Sequence, residues 1–260
     1  MPRLQRQKSQ SGYYHIMIRG NERRPIFFDD KDRLRFIDTL YETKQAHEFY
    51  LHAFCLMDNH VHLMISEGDE DIATTMKRIT VSYVYYFNKK YERVGHLFQD
   101  RFKSEAIEGD SYVISLLRYI HQNPVKATMV KTADEYRWSS CNCYLNSDGS
   151  FRKILDMDTI LALYSSDLEK ARKLFAKDIN VPSQDSFLDL KEEEKIITEE
   201  AAKTLFNRLL LEHQIDWDNI TKEQLILIIK ELKDATNLSV RKLSKITGLN
   251  KDKINKFLRT

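Results

Sequence analysis

The sequence has little glycine, proline or cysteine, and it lacks long apolar runs. Seven Gly and four Pro among 260 residues leave few sites for flexible linkers, so long regular elements are expected. The longest apolar runs, such as LILII at 225–229, are far shorter than the roughly 20 residues that cross a bilayer. No apolar stretch follows the basic start MPRLQRQKSQSGYYH, so no signal peptide is expected. These absences predict a cytoplasmic protein without a membrane partner.

The sequence also lacks a large excess of positive or negative charge. The chain has 41 Lys and Arg against 39 Asp and Glu, a formal net charge of +2. Any binding of nucleic acid must therefore depend on local basic patches. The three cysteines, Cys55, Cys141 and Cys143, form no distant pairing pattern, which favours reduced thiols. A hydrophobic content of 42% is enough for a sizeable core.

Hydrophobic patterning between residues 10 and 145 predicts a β-α-β-β-α-β-α order. Alternating residues predict strands in YYHIMIR, FYLHAFCLMD and HVHLMIS, with one or two short strands in HLFQDRFKSEAIE. Helical spacing predicts helices from Asp29, at 69–91 and at 111–123, the last ending before Pro124 because proline restricts the residue ahead of it. This order predicts an α+β domain with a mainly antiparallel sheet.

The rest of the chain is predicted to be helical, with a connector at 146–195 and a helical region at 196–260. Within it, NLSVRKLSKITGLNKDKINKFLRT at 237–260 has the apolar spacing and central turn of a helix-turn-helix, with Ser239 as a cap and 250–259 as recognition helix. Its basic residues are predicted to bind DNA, although helical folds that bind nothing share such spacing. They include Arg241, Lys242, Lys245, Lys251, Lys253 and Lys256.

Two histidines flank a valine in DNHVHLMI, residues 58–65. Because side chains alternate along a strand, His60 and His62 point to the same face. Two neutral imidazoles a few ångströms apart can share a divalent metal. The alternative for an arbitrary His-x-His is a pair of surface or hydrogen-bonded core histidines.

A second candidate lies in SLLRYIHQNP, residues 115–124. Tyr119 and Asn123 are four residues apart on a predicted helix, so their side chains are neighbours. A phenol is a poor nucleophile unless its electrophile is activated, and an amide oxygen suits Mg²⁺ or Mn²⁺. The alternative is a half-buried helix tyrosine with an asparagine that merely precedes a proline.

Together these segments resemble the single-tyrosine transposases that are named HUH after their His-hydrophobic-His pair, in particular the IS200-like domain of REP-associated tyrosine transposases. The resemblance covers residues 10–145. The matching segments, in the family's order, are SGYYHIMIRGNERRPIFF, CLMDNHVHLMI, GHLFQDRFKSEAI, LLRYIHQNPVKATMV and EYRWSS.

The resemblance implies a ferredoxin-like core, a metal held by His60 and His62, and Tyr119 as the nucleophile. It implies Asn123 as a third ligand, with Gln122 as the neighbouring alternative. Family members cleave and rejoin single-stranded DNA through a 5′-phosphotyrosine, recognise hairpin-forming repeats and are usually dimers. The expected cofactor is therefore a divalent metal, Mg or Mn, and the expected partners are single-stranded or hairpin DNA and a second copy of the chain.

Five basic residues in or next to loops are predicted to contact the DNA. They are Arg19, Arg23, Arg24, Arg101 and Lys103. The alternative for each is a solvated surface position that binds nothing. The tyrosines at 83, 85, 86 and 91 either pack in the core or stack on unpaired bases. Two other functions stay open: a catalytically inactive DNA-binding regulator on the same fold, and a hydrolytic endonuclease, for which no general base is identified.

Overall fold

The computed structural model describes residues 8–47, 49–146, 149–181, 187, 199–213, 215–236, 238 and 240–259. The chain divides into two compact units, Met1–Leu188 and Asp189–Thr260. Among the described residues no helix is both long and apolar enough to cross a membrane. All three cysteines are buried and unpaired with one another.

The first unit contains a four-stranded sheet with the strand order β2-β3-β1-β4. All three strand pairings are antiparallel. This is the ferredoxin-like order, in which two β-α-β crossovers interleave, and the predicted α+β class with an antiparallel sheet is confirmed. The elements run β1 Tyr13–Arg19, α1 Asp30–His47, β2 Tyr50–Leu56, β3 His60–Ser66, α2 Ile72–Lys90, β4 Lys103–Ile107 and α3 Asp110–Lys126.

Strands β1 and β3 are buried almost along their whole length, so both faces of the sheet are covered. One face is apolar: Ile16 and Ile18 pair with Leu63 and Val61. Helices α1 and α2 pack against each other, as expected when two right-handed crossovers place their helices on one face of the sheet. Helix α3 contacts β2 and β3, and its Tyr119 lies against the side of the sheet that carries the histidines.

Helix α3 passes through Pro124 and ends at Lys126, so the prediction that it stops before the proline is wrong. Proline removes one backbone donor, but the next turn still forms: Ala127 N–H donates to the Asn123 carbonyl and Met129 N–H to the Pro124 carbonyl, each at 2.9 Å. Pro124 is buried. Packing of the helix against the sheet therefore outweighs the local preference.

The segment after α3 covers edge strand β2, which explains the EYRWSS motif. Leu56 N–H donates to the Trp138 carbonyl at 2.9 Å, and the Tyr136 hydroxyl donates to the Leu56 carbonyl at 2.7 Å. Farther along the same edge, Asp156 N–H donates to the Leu51 carbonyl at 2.8 Å. These bonds pair backbone groups at both ends of β2 that an edge strand would otherwise leave open.

After α3, the described residues of the first unit include three short α-helices: α4 Cys141–Leu145, α5 Asp158–Ala162 and α6 Leu168–Asp178. Arg172 of α6 donates to the Tyr144 carbonyl at 2.6 Å. Much of the predicted connector thus packs within this unit. Residues 147–148, 182–186 and 188–195 of that connector lie outside the described residues, and the predicted domain limits stay predictions.

The described residues of the second unit are mainly helical, as predicted for the C-terminal region, and include α7 Glu199–Glu212, α8 Lys222–Thr236, α9 Val240–Thr247 and α10 Lys251–Arg259. Its core includes Leu243, Ile254 and Phe257. Gly248, at φ +73, turns the chain between α9 and α10, a conformation that glycine adopts at little cost. The predicted cap Ser239 lies outside the described residues.

Candidate active site

His60 and His62 lie at the start of β3, directly after the hairpin loop that joins it to β2. In the pairing with β1, His60 is opposite Arg19 and His62 is opposite Met17. Facing residues of an antiparallel pair share one side of the sheet, so the histidines lie beside β1. Their ring centroids are 5.0 Å apart.

The His60 ring is oriented by the loop residue Asn59. The Asn59 amide donates to the Arg23 carbonyl at 3.2 Å, which directs its oxygen toward His60 Nδ1 at 2.6 Å. Because an amide oxygen only accepts, His60 Nδ1 carries the hydrogen. Nε2 of His60 therefore keeps its lone pair for a ligand.

The His62 ring is oriented by a second buried histidine, His15 of β1. His62 Nδ1 lies 2.9 Å from His15 Nε2, and His15 Nδ1 lies 3.6 Å from a carboxylate oxygen of Glu105 on β4. The carboxylate favours a hydrogen on His15 Nδ1, so His15 Nε2 accepts from His62 Nδ1. His62 Nε2 is buried, and among the described residues it has no hydrogen-bond partner.

Tyr119 of α3 packs against His62 and His15. Its ring centroid lies 5.7 Å from that of His62 and 5.6 Å from that of His15. The side chain is 1% exposed, and Phe187 packs against it at 5.0 Å between centroids. The Lys126 ammonium lies 4.5 Å from the Tyr119 ring centroid, which is a cation–π distance.

The two candidate third ligands differ in their contacts. The Asn123 amide donates to the Tyr119 carbonyl at 2.9 Å, so the asparagine is fixed on the tyrosine's side of α3. The Gln122 amide donates to the Ile179 carbonyl at 2.5 Å. The Gln122 side chain is thus held by a hydrogen bond to the residue directly after α6.

Burial keeps both histidines of the pair neutral. It lowers the pKa of His60 to about 4, with a smaller contribution from the Arg19 charge. It also lowers the pKa of His62 well below the usual value, with smaller contributions from His60, His15 and Lys126. Neutral imidazoles are the form that binds metal. Within the part of the chain that the structure describes, no group of three or more His, Cys, Asp or Glu residues could hold a metal ion.

Residues 8–123 match the family model described as "Transposase IS200 like". The matched segment contains His60, His62 and Tyr119 and ends at Asn123. Residues 8–123 are an IS200-like transposase domain. The predicted IS200-like family is thereby confirmed for these residues, and this family links the domain to DNA processing in transposition.

One solved structure that resembles the chain is that of a REP-associated tyrosine transposase bound to a REP hairpin. It is 22% identical, covers 56% of this chain and 86% of that chain, and has a TM-score of 0.48. No curated protein matches the chain.

The five predicted loop cations of the transposase domain are spread over two segments. Arg19 ends β1 opposite His60, and Arg23 and Arg24 follow in a short turn, where Arg24 pairs with Glu22 at 2.8 Å. Arg101 and Lys103 are exposed at the start of β4. Arg19 is therefore the member of this set whose place in the sheet is next to the histidine pair.

The six predicted DNA-binding cations of the second unit are all exposed. Arg241, Lys242 and Lys245 lie on α9, and Lys251, Lys253 and Lys256 lie on α10. Their binding to DNA stays a prediction.

Sequence reasoning did not assign His15, Glu105 or Phe187 to the active site of the transposase domain. His15 and Glu105 are paired across β1 and β4, and the pairing of β1 with β3 brings His15 next to His62. No local pattern in the sequence reveals these strand pairings. The available signal was a histidine inside an otherwise apolar strand, YYHIMIR. No sequence signal connects Phe187 with Tyr119, because 68 residues separate 119 from 187.

Proposed function

We propose that the transposase domain cleaves and rejoins single-stranded DNA through a 5′-phosphotyrosine on Tyr119, with a divalent metal, Mg or Mn, bound by His60 and His62. The observation that supports the proposal is a pair of ring contacts on one face of the sheet: His62 lies 5.0 Å from His60 and 5.7 Å from Tyr119, between centroids. A tyrosine beside two oriented, neutral imidazoles is what the family's chemistry requires.

The histidines fit a metal. Each has its Nδ1 held by another side chain, Asn59 Oδ1 or His15 Nε2, and ligating histidines commonly use the second nitrogen in this way. The buried Nε2 of His62, without a hydrogen-bond partner among the described residues, is explained by a ligand there. When bound, a divalent metal supplies Lewis acidity to a non-bridging phosphate oxygen. Asn123 is the proposed third ligand, because its amide is fixed next to Tyr119.

The reaction exchanges one phosphodiester for another. The Tyr119 oxygen loses its proton and forms a bond to phosphorus, the bond from phosphorus to the 3′ oxygen breaks, and that oxygen leaves as a 3′-hydroxyl. A second 3′-hydroxyl can reverse the step and join new ends. The Lys126 ammonium beside the ring places a positive charge near the group that loses the proton.

The proposed substrate is single-stranded or hairpin DNA, as the resemblance to REP-associated enzymes implies, and the proposed assembly is a homodimer. The reaction is assigned to the cytoplasm, which suits three free cysteines.

In the second unit, α9 and α10 are proposed to add a helix-turn-helix contact. Changing Lys251→Glu with Lys253→Glu is expected to weaken hairpin binding and to lower the salt slope by about 1.8 if both contact duplex phosphates. Unchanged affinity and slope would remove α10 from the interface.

The direct test is an adduct assay with single-stranded fragments that flank the gene, in Mg²⁺ or Mn²⁺. The native protein is expected to form a protein–DNA species that resists boiling in detergent and to release a 3′-hydroxyl end. Tyr119→Phe is expected to bind the strand without forming the adduct, whereas Tyr112→Phe on the same helix forms it. Strand binding without an adduct by the native protein would favour the catalytically inactive regulator.

A further inference from the structure

A large groove lies outside the active site, along the surface of α2. Its volume is about 1180 Å³, above the roughly 300–1,000 Å³ of small-molecule sites. One wall is a face of α2 that presents Lys77, Val81, Tyr85 and Lys89. The other wall is the segment 95–102, which leads into β4. We call it the α2 groove.

The charges of the α2 groove differ from those of the neighbouring surface. Four basic residues line it, Lys77, Lys89, Arg93 and Arg101, against the two acids Asp71 and Asp100. No ion pair among the described residues involves any of these four cations. Two adjacent cations of α2 are neutralised in contrast: Arg78 pairs with Glu70 at 2.8 Å and Lys90 with Asp32 at 2.7 Å. The groove therefore attracts an anionic ligand.

The same wall presents apolar and aromatic surface. Tyr85 is 70% exposed and Val81 is 59% exposed. Tyr83, two residues earlier, is buried and donates to the Ile26 carbonyl at 2.6 Å, so α2 uses a different face for the core. An exposed tyrosine between lysines provides the stacking surface and charge with which proteins hold unpaired bases and their phosphates.

The other wall of the α2 groove is joined to the sheet beside the histidine pair. Gln99 N–H donates to the Arg19 carbonyl at 3.0 Å, and Asn21 N–H donates to the Leu97 carbonyl at 2.8 Å. Arg19 is opposite His60 in the sheet. A ligand that follows this wall out of the groove thus reaches the end of β3 where the histidine pair begins.

We infer that the α2 groove binds an unpaired DNA strand continuous with the one cleaved at Tyr119, with a base stacked on Tyr85 and phosphates near Lys77, Lys89 and Arg101. This inference rests on the proposed function. A duplex suits the groove less well, because its bases already stack on one another. A second copy of the chain also suits it less well, because a symmetric pairing through this face would bring the four cations together.

The test measures binding of a fluorescent oligothymidine by anisotropy, in a Tyr119→Phe background so that no chemistry intervenes. Adding Tyr85→Ala is expected to weaken binding about 5- to 150-fold, the range for loss of one aromatic stack. The control is Tyr41→Ala, which removes a tyrosine of α1 that is 43% exposed and is expected to change nothing. Both tyrosines are solvent-exposed, so the fold is retained, and circular dichroism verifies it.

Charge reversal tests the phosphate contacts separately. Lys77→Glu with Lys89→Glu is expected to reduce the slope of log affinity against log salt by about 1.4, or about 0.7 for each phosphate contact of a single strand. Lys31→Glu with Lys173→Glu makes the same charge change at exposed positions outside the groove and is expected to leave the slope unchanged. Iodouracil in the oligonucleotide is expected to cross-link to Tyr85 on irradiation.

The inference is overturned if Tyr85→Ala binds like Tyr41→Ala and no cross-link maps to the groove. It is equally overturned if Tyr85→Ala changes only the sedimentation of the protein, because the groove would then be a contact between copies. Failure here is distinct from failure of the proposed function. A native protein that forms the Tyr119 adduct while the groove variants bind normally keeps its chemistry and loses only this contact.

Discussion

Replacing His15 with alanine tests whether the buried histidine on β1 prepares His62 to bind metal. His15 Nε2 lies 2.9 Å from His62 Nδ1, and both side chains have no exposed surface. The substitution removes the group that fixes which nitrogen of His62 carries the hydrogen. It leaves the Nε2 ligand atom in place, so the effect reports orientation rather than loss of a ligand.

The expected loss follows from two independent magnitudes. Removing an outer partner of a metal-binding histidine commonly costs 10- to 100-fold in affinity, which is about 1.4–2.8 kcal/mol. A buried polar atom left without its partner costs about 1–3 kcal/mol, the same range. We therefore expect the Kd for Mn²⁺ to rise about 10- to 100-fold in His15→Ala. We expect a smaller rise in Glu105→Gln, because the 3.6 Å contact with His15 is longer than a hydrogen bond.

Isothermal titration calorimetry with Mn²⁺ measures the affinity, and thermal unfolding reports the fold. His52→Ala is the matched control, because His52 is also a buried histidine, yet its nitrogens contact the Asp156 carbonyl and the Ser66 hydroxyl away from the pair. Its loss is expected to lower stability and leave the Kd unchanged. Equal Kd values for His15→Ala and His52→Ala would refute the orienting role of His15.

Three further outcomes are expected. Asn123→Ala is expected to weaken Mn²⁺ binding in calorimetry. Gln122→Ala is expected to leave it unchanged, because the Gln122 amide donates to the Ile179 carbonyl. The reverse result would make Gln122 the third ligand. Phe187→Ala uncovers Tyr119 and speeds its nitration by tetranitromethane, followed by mass spectrometry; an unchanged rate would show that Phe187 does not shield the tyrosine. Burial lowers the pKa of His121 to about 3, so below pH 6.5 the unfolded chain binds a proton that the native protein does not. The free energy of unfolding therefore decreases as the pH is lowered, and this residue contributes a loss of roughly 2 kcal/mol between pH 6.5 and pH 5. Urea unfolding of His121→Gln would show a flatter pH dependence, and an identical one would contradict the assignment.

The element order of the first unit could be predicted because each element has a strong local pattern. The alternation in HVHLMIS and the helical spacing of residues 72–90 are properties of neighbouring residues. The strand order β2-β3-β1-β4 follows from that sequence of elements once the family resemblance is accepted. Pro124 misled the prediction because its local preference opposes a helix that tertiary packing stabilises.

The histidine pair and the tyrosine could be predicted as separate motifs, but their surroundings could not. His15, Glu105 and Phe187 reach the site only through the register of β1 with β3 and β4 and the path of the chain after α6. Likewise, the sequence does not show which tyrosines of α2 are buried: Tyr83 packs in the core, whereas Tyr85 is exposed. Which face of a helix meets the core depends on partners that lie far away in the sequence.

In the proposed reaction, the Tyr119 oxygen becomes bonded to DNA beside the His60–His62 pair. Digestion of the protein–DNA adduct and mass spectrometry of its peptides identifies the modified residue most directly. We predict a nucleotide 5′-phosphate on the peptide that contains Tyr119, absent when His60 and His62 are replaced by alanine. A nucleotide on any other residue, or an adduct that survives loss of both histidines, would contradict it.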